Sequence, residues 1–226
     1  MEFRVLPAGD SGWLVQLPDR LDTDVNTRAI EIASAVEQSD VPATDIVVGY
    51  RSVMVYVDPL SDPGIGRRIE ELAGSAATIP AAAAATVVVP VCYDGGYGPD
   101  LEDVAAFAQC SVEEVIELHL AGEYRVFVVG FVPGFAYMAP VDPRIAAPRR
   151  SQPRLKVPAG SVAVAAGQTG IYPAETPGGW SLIGRCPVRP YDPDREQPFL
   201  FRPGDRVHFE RISAEAYRAT SQWGDV

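Results

Sequence analysis

Between Gly130 and Pro190 the chain packs in 18 of its 41 glycines and prolines, leaving 23 for the other 165 residues. A segment punctuated this often cannot run as long helices. Glycine supplies backbone angles that other residues resist, and proline stiffens bends and removes an amide donor, so short strands joined by tight connections fit between them. Strand-like pieces survive in it, VAVAAG from Val162 and WSLIG from Trp180. The segment therefore reads as a β region whose rigid connections can hold polar side chains in place, and function is expected there first.

At 226 residues and 47% hydrophobic, the chain can bury one large core or two modest ones. A formal charge of -11 and a single lysine, Lys156, argue against a nucleic-acid partner, which would need clustered basic residues. Cys92, Cys110 and Cys186 are odd in number and widely spaced, fitting neither a disulfide framework nor a CxxC motif, so a reducing interior is expected. The opening MEFRVLPAGDSG has no apolar core of a secretory signal. The run AATIPAAAAATVVVPV is broken by Pro80 and Pro90, short of the roughly 20 residues a membrane helix needs. These features predict a soluble cytoplasmic protein without a membrane partner.

The first part alternates twice between a hairpin and a helix. FRVL and GWLVQL flank PAGDS, and Val25, Ala29, Ile32, Ala33 and Val36 follow at helical spacing. DIVVGY and SVMVYV repeat the hairpin, and Ile65, Ile69, Leu72 and Ala73 repeat the helix. This ββαββα order predicts a small α+β domain over residues 1–78, with both helices on one sheet face. An Ala-rich linker is expected over 79–86 and a mainly β second domain over 87–226. That domain begins near Val87 with TVVVPV, and after VCYDGGYGP come a helix capped by Asp100 and a second helix after Ser111, which forms an S-x-x-E capping box with Glu114. Gly122 ends the second helix. YRVFVVGF, VAVAAG, WSLIG, FLF and RVHFERI then give the strands of a closed or partly closed β barrel.

Several catalytic signatures are missing. The lone lysine sits in RLKVPAG, so there is no Gly-Lys-Ser/Thr phosphate loop; GIGRRI lacks the third glycine of a dinucleotide fingerprint; and no GxSxG elbow surrounds Ser161 or Ser181. No spacing signature for a metal exists, and a zinc site from His119, Cys92 and Cys186 would draw on three distant segments. His119 falls with Val112, Val115 and Ile116 on the apolar face of its helix, which allows either a buried, hydrogen-bonded imidazole or a proton-transfer group at the barrel rim.

The sharpest polar cluster is GQTGIYPAET. Gln168, Thr169, Tyr172, Glu175 and Thr176, bracketed by glycines and prolines, could face a small polar ligand or could cap their own turn. Arg154 and Lys156, two apart in an extended PRLKVP, would share a strand face and could meet an anion, or else form a solvated edge. Phe131, Phe135, Tyr137 and Trp180 suit either an apolar wall or core packing.

Taken together, VPVCYDGGYGPDLEDVA, the helix carrying His119, GFVPGFAYM, PRLKVPAGSVAVAAGQTGIYP, TPGGWSLIGRCP and RPGDRVHF resemble the family of KipI, allophanate hydrolase subunit 1 and the 5-oxoprolinase B subunit. The resemblance covers nearly the whole chain and implies a cyclophilin-like barrel for the second domain. It also implies a component of an ATP-dependent 5-oxoprolinase that opens 5-oxo-L-proline to L-glutamate and is inactive alone. The implied partners are an allophanate hydrolase subunit 2 or KipA-like protein and a LamB/YcsF-like protein, with ATP bound at a shared or partner site. In that scheme His119 and Gln168 would be catalytic, with Thr169, Tyr172, Glu175, Thr176, Arg154 and Lys156 binding substrate. Two other activities are carried by similar proteins: inhibition of a histidine kinase by KipI-like members, and an allophanate or urea amidolyase-related role.

Overall fold

The computed structural model describes residues 1–20, 22–58, 64–76 and 84–223; most of the expected Ala-rich linker lies outside them. The chain divides into two compact units, Met1–Ala84 and Ala85–Val226.

The first unit runs β1 (Arg4–Pro7), β2 (Gly12–Gln16), α1 (Thr23–Glu37), β3 (Ala43–Val48), β4 (Ser52–Val57) and α2 (Ile65–Ser75). Its antiparallel sheet has the order β1-β2-β4-β3. Asp22 starts α1 by accepting the Val25 amide at 2.8 Å. Val53, Val55 and Val57 point to one face and share a core with Ile32 of α1 and Ile69 of α2, so both helices cover that face.

The second unit comprises β5 (Thr86–Cys92), α3 (Leu101–Ala108), α4 (Val112–Leu120), β6 (Tyr124–Val129), β7 (Ala136–Ala139), β8 (Arg154–Val157), β9 (Ser161–Ala165), β10 (Gln168–Ile171), β11 (Thr176–Gly178), β12 (Ser181–Arg185), β13 (Arg206–Ile212) and α5 (Ala214–Thr220). Seven strands close a barrel in the order β10-β7-β6-β13-β5-β12-β9, with β9 pairing back to β10. Neighbours are antiparallel except β13 and β5, which run parallel with Val207 opposite Val87. Val126, Met138, Val162, Val164, Ile171 and Ile183 belong to the core that fills it. β8 and β11 form a separate two-stranded ribbon.

Two local expectations change. FLF forms no strand: Phe199 makes an isolated bridge to Tyr191 and Phe201 is buried. Pro198 and Pro203 flank it, and neither has an amide to extend a ladder. Ser111 does cap α4 through the Glu114 amide at 3.2 Å, but the Glu114 carboxylate reaches Arg144 at 3.4 Å, leaving half a capping box.

His119 is fully buried in the second unit. The Thr169 hydroxyl donates to the Ala163 carbonyl at 3.0 Å, so its oxygen accepts from His119 Nε2 at 3.0 Å. Nδ1 is then left to accept the Tyr93 hydroxyl at 2.8 Å, which defines a neutral tautomer protonated on Nε2. The ring stacks on Phe209 at a centroid distance of 4.5 Å, and its backbone carbonyl accepts the Tyr124 hydroxyl at 2.7 Å. Burial lowers its pKa from 6.5 to about 3.

The unfolded chain takes up a proton near pH 6.5, whereas the folded imidazole stays neutral until about pH 3. The contribution of His119 is therefore complete above pH 6.5 and declines as pH falls toward 3, by about 2 kcal/mol at pH 5. Denaturant unfolding of wild type and His119→Gln at pH 7 and pH 5 checks this: the variant should lose about 2 kcal/mol less on acidification. In wild type, the His119 ring resonances should not titrate over that range.

Candidate functional site

β9 is buried on both faces, although a barrel strand has one face outside. Val162 and Val164 face the barrel core, while Ala163 and Ala165 join an outer apolar cluster with Phe135, Val157, Tyr172 and Trp180. Part of this outer cluster comes from the β8–β11 segments, which cover the barrel wall there.

A cleft of about 290 Å³ opens beside that cluster, lined by Phe131, Phe135, Tyr137, Arg149, Tyr172 and Trp180, with Arg150, Pro153 and Pro177–Gly179 completing it. Its aromatic rings meet edge to face: Phe135 lies 4.8 Å from Tyr137, 5.2 Å from Tyr172 and 5.5 Å from Trp180, centroid to centroid. Gly178 is required because a Cβ there would collide with the Tyr172 phenol. Burial raises the Tyr172 pKa, opposed by the Trp180 backbone amide donating to its oxygen and by the charges of Arg149 and Arg154. Burial likewise raises Tyr137 against the charge of Arg149.

A larger cavity of about 350 Å³ lies in the first unit, lined by Arg4, Gln16, Asp19 and Arg51 among others. Arg51 there is already neutralised by Asp19 at 3.0 Å. Arg4 there, like Arg149 in the aromatic cleft, has no acidic partner among the described residues; what sets the cleft apart is that five aromatic side chains stand beside its guanidinium, against Phe3 in the cavity, and it is the stronger candidate.

The ribbon is tied down by Asp100, whose side chain is 3% exposed. Its carboxylate accepts Arg150 Nη1 at 2.9 Å, both terminal nitrogens of Arg154 at 2.8 and 2.7 Å, and the Leu182 amide at 2.7 Å. Asp100 does occupy the position preceding α3, but its side chain makes no capping bond, because both oxygens are committed to these donors.

The site residues expected from the sequence separate. Tyr172 lines the cleft. Thr176 and Glu175 sit on and just before β11 beside it, and Glu175 pairs with Lys156 at 3.2 Å. Arg154 turns to Asp100 instead, so Arg154 and Lys156 meet two different carboxylates of the chain rather than one shared anion. His119 and Thr169 meet each other in the core, fully buried and away from the cleft. Gln168 starts β10, opposite Ala165, and is not among the lining residues. The inward turn of Thr169 follows from strand alternation, which sends Thr169 and Gly170 to opposite faces. Sequence reasoning misses Arg149 and Asp100 as site residues; the signal that points to them is the cluster PRRSQPRLK, which concentrates cations in an acidic chain.

Among the described residues no group of three His, Cys, Asp or Glu is placed to hold a metal, and no helix is long and apolar enough to cross a membrane. Cys186 is buried, which pushes its thiol up to about 12 and keeps it protonated.

Residues 3–201 match the family model described as carboxyltransferase domain, subdomain C and D. The chain is 38% identical over 232 residues to the 5-oxoprolinase B subunit of Bacillus subtilis (strain 168), covering 97% of each. It is similar to the crystal structure of TTHA0988 with a TM-score of 0.79 and 41% identity, covering 89% of this chain but only 40% of that one. The K. lactis urea amidolyase, at 20% identity and a TM-score of 0.75, covers 96% of this chain and 15% of its own, and shares the fold.

Removing the Asp100 carboxylate should strand two guanidinium groups and the Leu182 amide. Asp100→Ala is expected to cost about 3 kcal/mol in denaturant unfolding and to strip the Leu182 amide of exchange protection. A loss below about 1 kcal/mol with protection intact would contradict the clamp.

Proposed function

The chain belongs to the 5-oxoprolinase B-subunit family, within the carboxyltransferase-domain subdomain C and D group, and from that premise we propose that it is one component of an ATP-dependent 5-oxoprolinase. The complex opens the lactam of 5-oxo-L-proline to give L-glutamate, and the aromatic cleft is where this chain meets the substrate. The observation that carries the reading is the cleft itself, in which aromatic walls stand beside an exposed guanidinium left uncommitted among the described residues.

At about 290 Å³ the cleft is at the low end of ligand pockets, which suits a five-membered ring acid. It is too small for a nucleoside triphosphate, and with Arg150 committed to Asp100 the one remaining guanidinium is a poor match for several phosphate charges. ATP is accordingly assigned to a shared or partner site. Phosphorylation of the lactam oxygen there makes the carbonyl carbon open to attack by water, which is otherwise slow at an unstrained amide.

The partners are the allophanate hydrolase subunit 2 or KipA-like and LamB/YcsF-like proteins. Exposed apolar side chains support a covering partner: Phe131, which lines the cleft, is 63% exposed, and Leu155 on β8 of the ribbon is 86% exposed. Buried His119 holds the barrel wall behind β10 through Thr169 and acts on the site only by positioning it.

The test is reconstitution of the three proteins with 5-oxo-L-proline and ATP. Glutamate should form only with all three and ATP present. Tyr137→Ala, which deletes a half-buried wall of the cleft, should lower kcat/KM about tenfold. A correctly assembled complex that forms no glutamate overturns the proposal.

A further inference from the structure

We propose that Arg149 is the carboxylate-recognition residue of the cleft, so that the cleft selects a ring bearing an acid group over the corresponding neutral lactam. This assignment rests on the reading of the cleft as the substrate site.

The distribution of charge singles Arg149 out. Four cations fall between positions 149 and 156 of a chain whose net charge is -11. Three of them are neutralised by the chain itself: Arg150 and Arg154 by Asp100, with Asp103 also 3.5 Å from Arg150, and Lys156 by Glu175 at 3.2 Å. A carboxylate offers about four acceptor sites, and Asp100 fills them with two guanidinium groups and one amide, so it has no capacity for a third arginine. Arg149 therefore has no acidic partner among the described residues, in an acidic protein where one would be easy to supply.

Its backbone is nevertheless fixed on both sides. The Arg150 amide donates to the Gly179 carbonyl at 2.8 Å, and the Ala147 carbonyl accepts the Ala166 amide at 2.8 Å. An anchored backbone carrying a guanidinium without an acidic partner among the described residues, at the mouth of an aromatic cleft, is a prepared half of a salt bridge. The other half must come from a ligand whose apolar part lies against Tyr137 and Trp180, whose rings are 5.8 Å apart at their centroids, and whose charged part is planar and bidentate. A small cyclic carboxylate meets both conditions; a neutral lactam meets only the first.

The discriminating experiment uses the reconstituted complex with ATP, 5-oxo-L-proline as substrate and 2-pyrrolidinone, the same ring without its carboxylate, as competitor. Arg149→Gln should raise KM for 5-oxo-L-proline by about 10- to 100-fold, change kcat less than about threefold, and leave Ki for 2-pyrrolidinone unaltered. Arg149→Lys should recover part of the KM, since it restores the charge without the bidentate geometry. An unchanged KM in Arg149→Gln, or an equal weakening of both compounds, would overturn the assignment while leaving the 5-oxoprolinase reading in place. A wild-type complex without turnover would instead remove that reading. Calorimetry of the full chain with the two ring compounds then decides Arg149 independently: wild type should prefer the acid and Arg149→Gln should not, whereas no preference in wild type counts against it.

Discussion

One buried carboxylate organises the candidate site. Asp100 reaches residues 50, 54 and 82 positions away in the chain, joining the start of α3 to the ribbon and to β12. Taking a carboxylate out of water is costly unless its acceptors are filled, and here they are filled by charged and backbone donors together. The ribbon is thereby held on the barrel wall, which covers β9 on its outer face and shapes the cleft between the two. The same saturation explains why Arg149, adjacent to Arg150 in sequence, is left without an acidic partner among the described residues.

The barrel behind the cleft is stiffened by a second polar device of a different kind. Tyr93, His119, Thr169 and the Ala163 carbonyl form one directed chain of hydrogen bonds in the core, with both ring nitrogens of His119 satisfied. It links α4 to β9 and β10, the strands under the outer aromatic cluster, and carries no net charge. Polarity in the core and polarity at the cleft are thus separated by the barrel wall: neutral groups inside, and outside a cation with no acidic partner among the described residues.

What can be read from the sequence follows the range over which each signal acts. The two hairpins and two helices of the first unit are legible from alternation and helical spacing, because neighbours within a few residues decide those patterns. The apolar-face position of His119 correctly indicates burial, but Tyr93, 26 residues earlier, and Thr169, 50 residues later, cannot be inferred as its partners. GQTGIYPAET reads as one polar surface, yet pairing of β10 turns Thr169 into the core and leaves Tyr172 on the cleft. Asp100 reads as a helix cap because a local role is available; its arginine partners are remote, and contact across such separations leaves no periodic trace. The aromatic residues Phe131, Phe135, Tyr137 and Trp180, which suit wall or core equally from sequence, line the cleft together.

If ring and acid group are held in the cleft between the ribbon and the barrel, a crystal structure of the assembled complex with 5-oxo-L-proline bound and ATP omitted tests this most directly. The ring should lie against Tyr137 and Trp180 with its carboxylate within hydrogen-bond distance of the Arg149 guanidinium. Density for the compound at any other place, with this cleft filled only by solvent, would contradict it.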